Sequence, residues 1–196
     1  YYYKMLRYCL NYAVSEELIS ANPMNKIKNE EKPHKHRTER EYLTIDEIRK
    51  LAQTPFYNAL LKKAFLFSCF CGLRHSDIIA LTWGNIEMDE EGNSRLHIIQ
   101  KKTKEAISLP LSQEAIKQLP QRENAKDGDI IFKKLITLGR TNEILPKWAE
   151  QAGIKKHITF HTARHTHATM LLTLGVDLYT VSKLLGHTNI QTTQIY

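Results

Sequence analysis

Two arginines, several histidines and a tyrosine in this chain have the types and the spacing of a site that acts on a phosphate ester. The string His161-Thr-Ala-Arg164-His165 is followed by Leu185-Gly186-His187 and then by Tyr196, and a Gly72-Leu73-Arg74 turn stands far upstream. Arginine presents a planar fork of donors that fits nonbridging phosphate oxygens, whereas lysine presents a point charge. Forks from Arg74 and Arg164 would neutralise the charge that grows on those oxygens during displacement. A tyrosine hydroxyl becomes a nucleophile once a base takes its proton. Histidine, with an unperturbed pKa of ~6.5, can take that proton near neutral pH and return it. The spacing of His161 and Arg164 puts both on one helix face.

The same histidines admit a second chemistry. His161 and His165, four residues apart on a helix, could hold a zinc ion with His187 as third ligand. A zinc hydrolase of that kind uses His-Glu-x-x-His, and Thr162 stands where the glutamate would be. The spacing therefore favours phosphate transfer over metal-assisted hydrolysis.

Composition agrees. At 196 residues, 42% hydrophobic and 25% charged, the chain can bury one substantial core. A formal net charge of +7 favours a polyanionic partner, because Lys and Arg that neutralise phosphates release condensed counterions. Cys9, Cys69 and Cys71 form an odd set without metal-ligand spacing, so no disulfide framework is expected, and Cys69 and Cys71 read as packing in a buried helix. The apolar run around them is shorter than the ~20 residues of a membrane span. With no signal peptide at the start, the reading is a cytoplasmic protein.

The positioning elements follow from periodicity and punctuation. Tyr1 to Ile19 reads as a helix ending before Asn22-Pro23, and residues 27–40 read as a charged linker. Thr44-Ile-Asp-Glu47 is a capping box opening a helix to about Ala52. A second helix, from about Tyr57, should close at Gly72, leaving Arg74 at the junction before a helix near Ser76. Alternation over Asn85–Met88, Arg95–Gln100 and Ala106–Leu109 predicts three short antiparallel strands, with turns at 89–93 and 101–104. Helices resume near Ser112, from Thr141 to Ala152, from His161 to Leu174 and after Asp177. Thr188 is expected to cap a last helix carrying Tyr196. The fold class is mainly α with a small three-stranded antiparallel sheet.

These ordered motifs resemble the tyrosine recombinases of the phage integrase family, over roughly residues 41–196. The resemblance implies a catalytic domain at 41–196 and, at 1–26, the last helix of a preceding helical domain that clamps DNA; the linker 27–40 between them reads equally as a basic strap over the DNA backbone or a solvated tether. It implies Arg74, Lys102, His161, Arg164, His187 and Tyr196 as the catalytic set. Tyr196 would form a 3′-phosphotyrosyl bond, His161 would accept its proton, and His187 would donate to a phosphate oxygen. Lys102 would protonate the departing 5′-hydroxyl, with Lys101 and Lys104 as neighbours able to replace it. Asp77 would hold Arg74 or a histidine in place, and His165 would pack or hydrogen-bond beside Arg164. Thr162 departs from the acidic residue common after the first histidine of that string.

Transesterification conserves the phosphodiester energy, so neither metal nor cofactor is expected. The expected partner is double-stranded DNA carrying specific recombination sites, bound by a homotetramer, with accessory DNA-bending proteins in some reactions and no membrane. A non-catalytic DNA-binding relative and a type IB topoisomerase-like enzyme are the alternatives.

Overall fold

The structure, a computed structural model, describes residues 2–33 and 40–196. The chain divides into two compact units, Tyr1–Glu39 and Arg40–Tyr196. In the first, α1 spans Tyr2–Ser15. It ends before the expected Ile19, because Glu17 takes a left-handed φ of 57° and Leu18 N–H closes back on the Ala13 carbonyl at 2.9 Å. Asn22 is buried; its Oδ1 accepts from the Met24 amide at 2.9 Å and its Nδ2 donates to Asn11 at 2.6 Å. Of the expected linker, residues 34–39 lie outside the described residues.

In the larger unit, Thr44 opens α2 (Ile45–Gln53) with the reciprocal capping box that its spacing predicts. Asn58 caps α3 (Ala59–Cys71), which is almost continuously apolar and runs through the centre of the core. Cys69 and Cys71 are buried in it as free thiols. Gly72, at φ 68°, stops it. A Cβ there would also sit 2.6 Å from His167 Cδ2, so glycine is required twice over. Arg74 is the N-cap of α4 (His75–Ile78).

The sheet is antiparallel in the order β1 (Ile86–Met88), β2 (Ser94–Ile99), β3 (Ala106–Pro110). Leu96 pairs with Leu109 and Ile98 with Ile107, which puts one apolar face on the core and leaves the 101–104 turn at one end. The remaining helices are α5 (Gln113–Ile116), α6 (Leu138–Gln151), α7 (Phe160–Thr173) and α8 (Leu178–Leu184). Trp148 and Phe160, from α6 and α7, meet Phe65 of α3 edge to face at 6.0 Å, which locks the three helices together.

Two caps fall elsewhere than expected. Thr137, not Thr141, begins α6; Gly139 is tolerated inside its first turn, and Thr141 is buried within the helix. Asn189, not Thr188, caps a short 3-10 turn at Ile190–Thr192, and Tyr196 lies beyond it rather than on a helix. The Asn189 side chain reaches the Gln191 amide at 2.8 Å, and the backbone then closes by i−3 bonds that do not propagate. Among the described residues no helix is long and apolar enough to cross a membrane.

Candidate active site

The α7 helix places three of the expected residues. Thr159 caps it, and the Thr162 hydroxyl accepts from the Thr159 amide at 3.0 Å. Thr162 thus does in neutral form what an acidic side chain at that position could do. One turn on, Arg164 is 1% exposed. Its Nη1 donates to the Gly72 carbonyl at 2.8 Å and its Nη2 to the Leu185 carbonyl, so one guanidinium ties the α3 terminus to the end of α8. The guanidinium carries further N–H donors beyond these two.

Arg74 stands on the turn that Arg164 anchors, stiffened further by Ser68 Oγ, which donates to the Leu73 carbonyl at 2.7 Å. Its Nη1 donates to Gln100 Oε1. Asp77 is buried, and its amide donates to the Arg74 carbonyl at 2.9 Å, but its carboxylate accepts no hydrogen bond from the Arg74 guanidinium: Oδ1 accepts from the Lys101 amide at 3.0 Å, and the carboxylate acts on Arg74 through its field. Asp77 therefore tethers the base of the hairpin turn. Lys101, Lys102 and Lys104 are all exposed on that turn. Of these, Lys102 is among the cations that depress His161.

Gly186, at φ 62°, ends the α8 segment and turns the chain toward His187, whose amide returns to the Ser182 carbonyl at 3.0 Å. The ring of His187 is held by Nδ1 at 2.8 Å from Thr193 Oγ. Tyr196 brings its hydroxyl 3.0 Å from His165 Nδ1, and the two rings lie 5.2 Å apart. His161 meets His165 edge to face at 4.5 Å. The histidine bonded to the tyrosine is thus His165, one step from the expected His161.

Electrostatics unite these groups. Burial, with Arg164, Arg40, Arg74 and Lys102 around it, pushes His161 down to about 4. Burial first, then neighbouring histidines and arginines, takes His165 to about 3, and burial with Arg164 and Arg74 takes His187 to about 4. Near neutral pH these rings are neutral, each with one ring nitrogen able to accept a hydrogen bond. The positive charge resides in the arginines. Burial, followed by the like charge of Arg74, pushes Arg164 down to about 10, still protonated at pH 7. Burial raises Tyr196, while Arg164, Arg40 and Arg74 pull the other way and so favour its phenolate.

Arg74, Arg164, His161, His165, His187 and Tyr196 therefore act on one another's ionisation, with Asp77 and Lys102 at the edge. Sequence reasoning missed Arg40 and Gln100. Arg40 falls at the end of a charged run with nothing to mark it. Gln100 carries a signal: it continues the Leu96, Ile98 alternation and so falls on the buried face of β2, where an unpartnered amide would be costly.

The comparisons identify the family and the fold. The family model described as "Phage integrase family" matches residues 41–196. A tyrosine recombinase XerC of Caldanaerobacter subterraneus subsp. tengcongensis is 31% identical, over 97% of this chain and 56% of its own length. A tyrosine recombinase XerD of Listeria innocua serovar 6a is 32% identical, over 100% of this chain and 69% of that protein. The chain thus spans little more than half of the first of these relatives. Among solved structures, the Tn1549 transposon integrase in complex with circular intermediate DNA superposes with a TM-score of 0.72 at 19% identity, covering 97% of this chain and 71% of that one. A lambda integrase dimer bound to a COC′ core site gives 0.73 at 20% identity, covering 97% and 69%. At such identities these two establish the shared fold.

Proposed function

The chain belongs to the phage integrase family of tyrosine recombinases, and from that premise we propose that it cuts and rejoins duplex DNA through a covalent 3′-phosphotyrosyl intermediate. The observation that carries the reading is the Tyr196 hydroxyl, bonded to a neutral histidine on the helix that presents Arg164. In the forward step the Tyr196 oxygen bonds to the scissile phosphorus and the bond from phosphorus to the 5′ oxygen breaks. The phenolic proton leaves to His161, with His165 holding the hydroxyl until the phosphate arrives. Lys102 delivers a proton to the 5′ oxygen, releasing a 5′-hydroxyl. One phosphodiester replaces another, so the reverse step rejoins DNA without an external energy source.

Each assignment has a physical support. Arg164 is pre-oriented by two carbonyls, so its fork costs little reorganisation when charge develops on the phosphate. His187, fixed by Thr193, is positioned as a donor to a nonbridging oxygen. The net charge of +7 suits a duplex polyanion. By extension from the DNA-bound neighbours, the substrate is duplex DNA; specific recombination sites, and four protomers acting across two of them, are what the family resemblance implies.

The test is covalent capture. The chain selects its preferred duplex from a random-sequence pool, and that duplex is nicked beside the cut so that the departing fragment diffuses away. A denaturation-resistant adduct should form and map to Tyr196; Tyr196→Phe should abolish it while binding the duplex as before. An adduct that survives Tyr196→Phe overturns the assignment of the nucleophile, and absence of any adduct from the unaltered chain overturns the function.

A further inference from the structure

Gln100 is a wholly buried amide at the end of β2, and every polar atom of its side chain is spent inside the candidate site. Oε1 accepts from Arg74 Nη1 and, at 2.9 Å, from the Thr103 hydroxyl. Nε2 donates at 3.0 Å to the Leu185 carbonyl, the same oxygen that accepts from Arg164 Nη2. The pattern of partners fixes which end of the amide is oxygen, since Arg74 can only donate and a carbonyl can only accept. A Cβ at Gly186 would stand 2.7 Å from Oε1, so the glycine before His187 makes room for this amide.

One side chain therefore joins three separately built pieces of the site. They are the Gly72–Arg74 turn, the hairpin bearing Lys102, and the α8 terminus leading to His187. We propose that Gln100 is a positioning residue: it orients the Arg74 fork toward the scissile phosphate and, through the shared Leu185 carbonyl, keeps Arg74 in register with Arg164. The proposal rests on the recombinase reading of the site. Its chemistry explains the residue type. A carboxylate here would grip Arg74 more strongly but would also neutralise it and repel the incoming phosphate. A neutral amide aims the guanidinium and leaves its full charge to the substrate. It also donates to Leu185, which a carboxylate cannot do.

A residue that only fills space would be replaced without loss by Gln100→Met, which keeps volume and flexibility and removes the hydrogen bonds. In the covalent-capture assay, with the nicked duplex the chain selects for itself, Gln100→Met should bind that duplex as the unaltered chain does. It should form the adduct about 10²-fold more slowly, the effect of a misplacement on the order of an ångström. In an Arg74→Ala background the same change should cost almost nothing further, because the group it aims is gone. Thr103→Val, which removes one hydrogen bond from the Gln100 oxygen and leaves the buried amide in place, should slow adduct formation in the same direction by a few fold.

Adduct formation by Gln100→Met at the full rate overturns the proposal. So does an equal slowing with and without Arg74, which is the mark of general damage to the fold. Should Gln100→Met lose DNA binding, Thr103→Val decides: slowed cleavage with intact binding sustains the assignment, and full-rate cleavage removes it. If the unaltered chain forms no adduct, the recombinase reading itself falls; if it reacts and all variants match it, only the role of Gln100 falls.

Discussion

Helix α7 and the β2–β3 turn each contribute to the candidate site, and they are built on opposite principles. On α7, Arg164, His165, Thr166 and His167 are consecutive buried polar residues. Arg164 has its two carbonyls, His165 has Tyr196, and Thr166 accepts from the Leu43 amide at 2.9 Å, whereas Nδ1 of His167 is buried without a hydrogen-bond partner. Polar groups this deep cost free energy unless paired, and pairing makes the first three rigid. The turn has three exposed lysines and is held at its base, where Asp77 takes the Lys101 amide and Gln100 takes Thr103. The difference fits the chemistry proposed for each. Charge stabilisation gains from groups already fixed, whereas a proton donor must follow a departing oxygen.

The largest separation between the two regions should appear at the arginines. Arg164→Ala is expected to cost about 2.7–4 kcal/mol of barrier to adduct formation, by analogy with a lost oxyanion donor. It should also cost about 1–3 kcal/mol of stability, because the Gly72 carbonyl loses the donor that Arg164 supplies in the interior. The Leu185 carbonyl keeps Gln100 Nε2 and adds little to that loss. Arg74→Ala should show the same order of barrier increase with much less loss of stability, since Arg74 is only partly buried. Denaturant midpoints alongside capture rates check this; equal destabilisation by the two variants would erase the distinction.

At the turn, Lys102→Ala should slow cleavage of ordinary DNA by about 10²-fold, the low end for a positioned acid, with the melting point unchanged. Replacing the 5′ bridging oxygen by sulfur supplies a leaving group that needs no proton and should restore most of the rate. If the sulfur substrate instead rescues Lys101→Ala or Lys104→Ala, the acid is that neighbour. If none of the three lysine variants is slowed on ordinary DNA, the turn lies outside the chemistry.

The same contrast explains what could be read in the sequence. The capping box at Thr44 and the helix stop at Gly72 were legible because each is a local device, settled within four residues. The strands were legible by alternation, and the Gln100 face with them. The partner of the Tyr196 hydroxyl was not, because His161 and His165 are one helical turn apart and only the packing of the chain end decides which ring it meets. The last turn misled for a similar reason: Thr188 and Asn189 are both good caps, and Asn189 wins by reaching the Gln191 amide. Arg40 enters through electrostatics over a distance in sequence that no local pattern spans.

A last effect, on stability and not on rate, concerns chiefly the interior of α7. His167 is 5% exposed, and burial, followed by the charge of Arg164, pushes its pKa down to about 4; the nearby Cys69 backbone offsets part of this. Above pH ~6.5 the ring is neutral in both folded and unfolded chains, so its contribution to stability is fully present. As pH falls from ~6.5 toward that lower value, the unfolded chain takes a proton that the folded one refuses, and stability is lost. The loss at pH 5 is about 2 kcal/mol from this residue. It levels off once the folded pKa is passed. His161, His165 and His187 shift in the same direction, with solvent screening reducing their share. Urea midpoints measured from pH 7 to pH 5 should therefore fall, and His167→Gln should flatten that slope whatever it does to stability at pH 7. Lys102→Ala should alter the slope far less, acting only through the His161 ring that it helps to depress. An unchanged slope in His167→Gln would mean that water reaches the ring, and that this stretch of α7 is no drier than the turn.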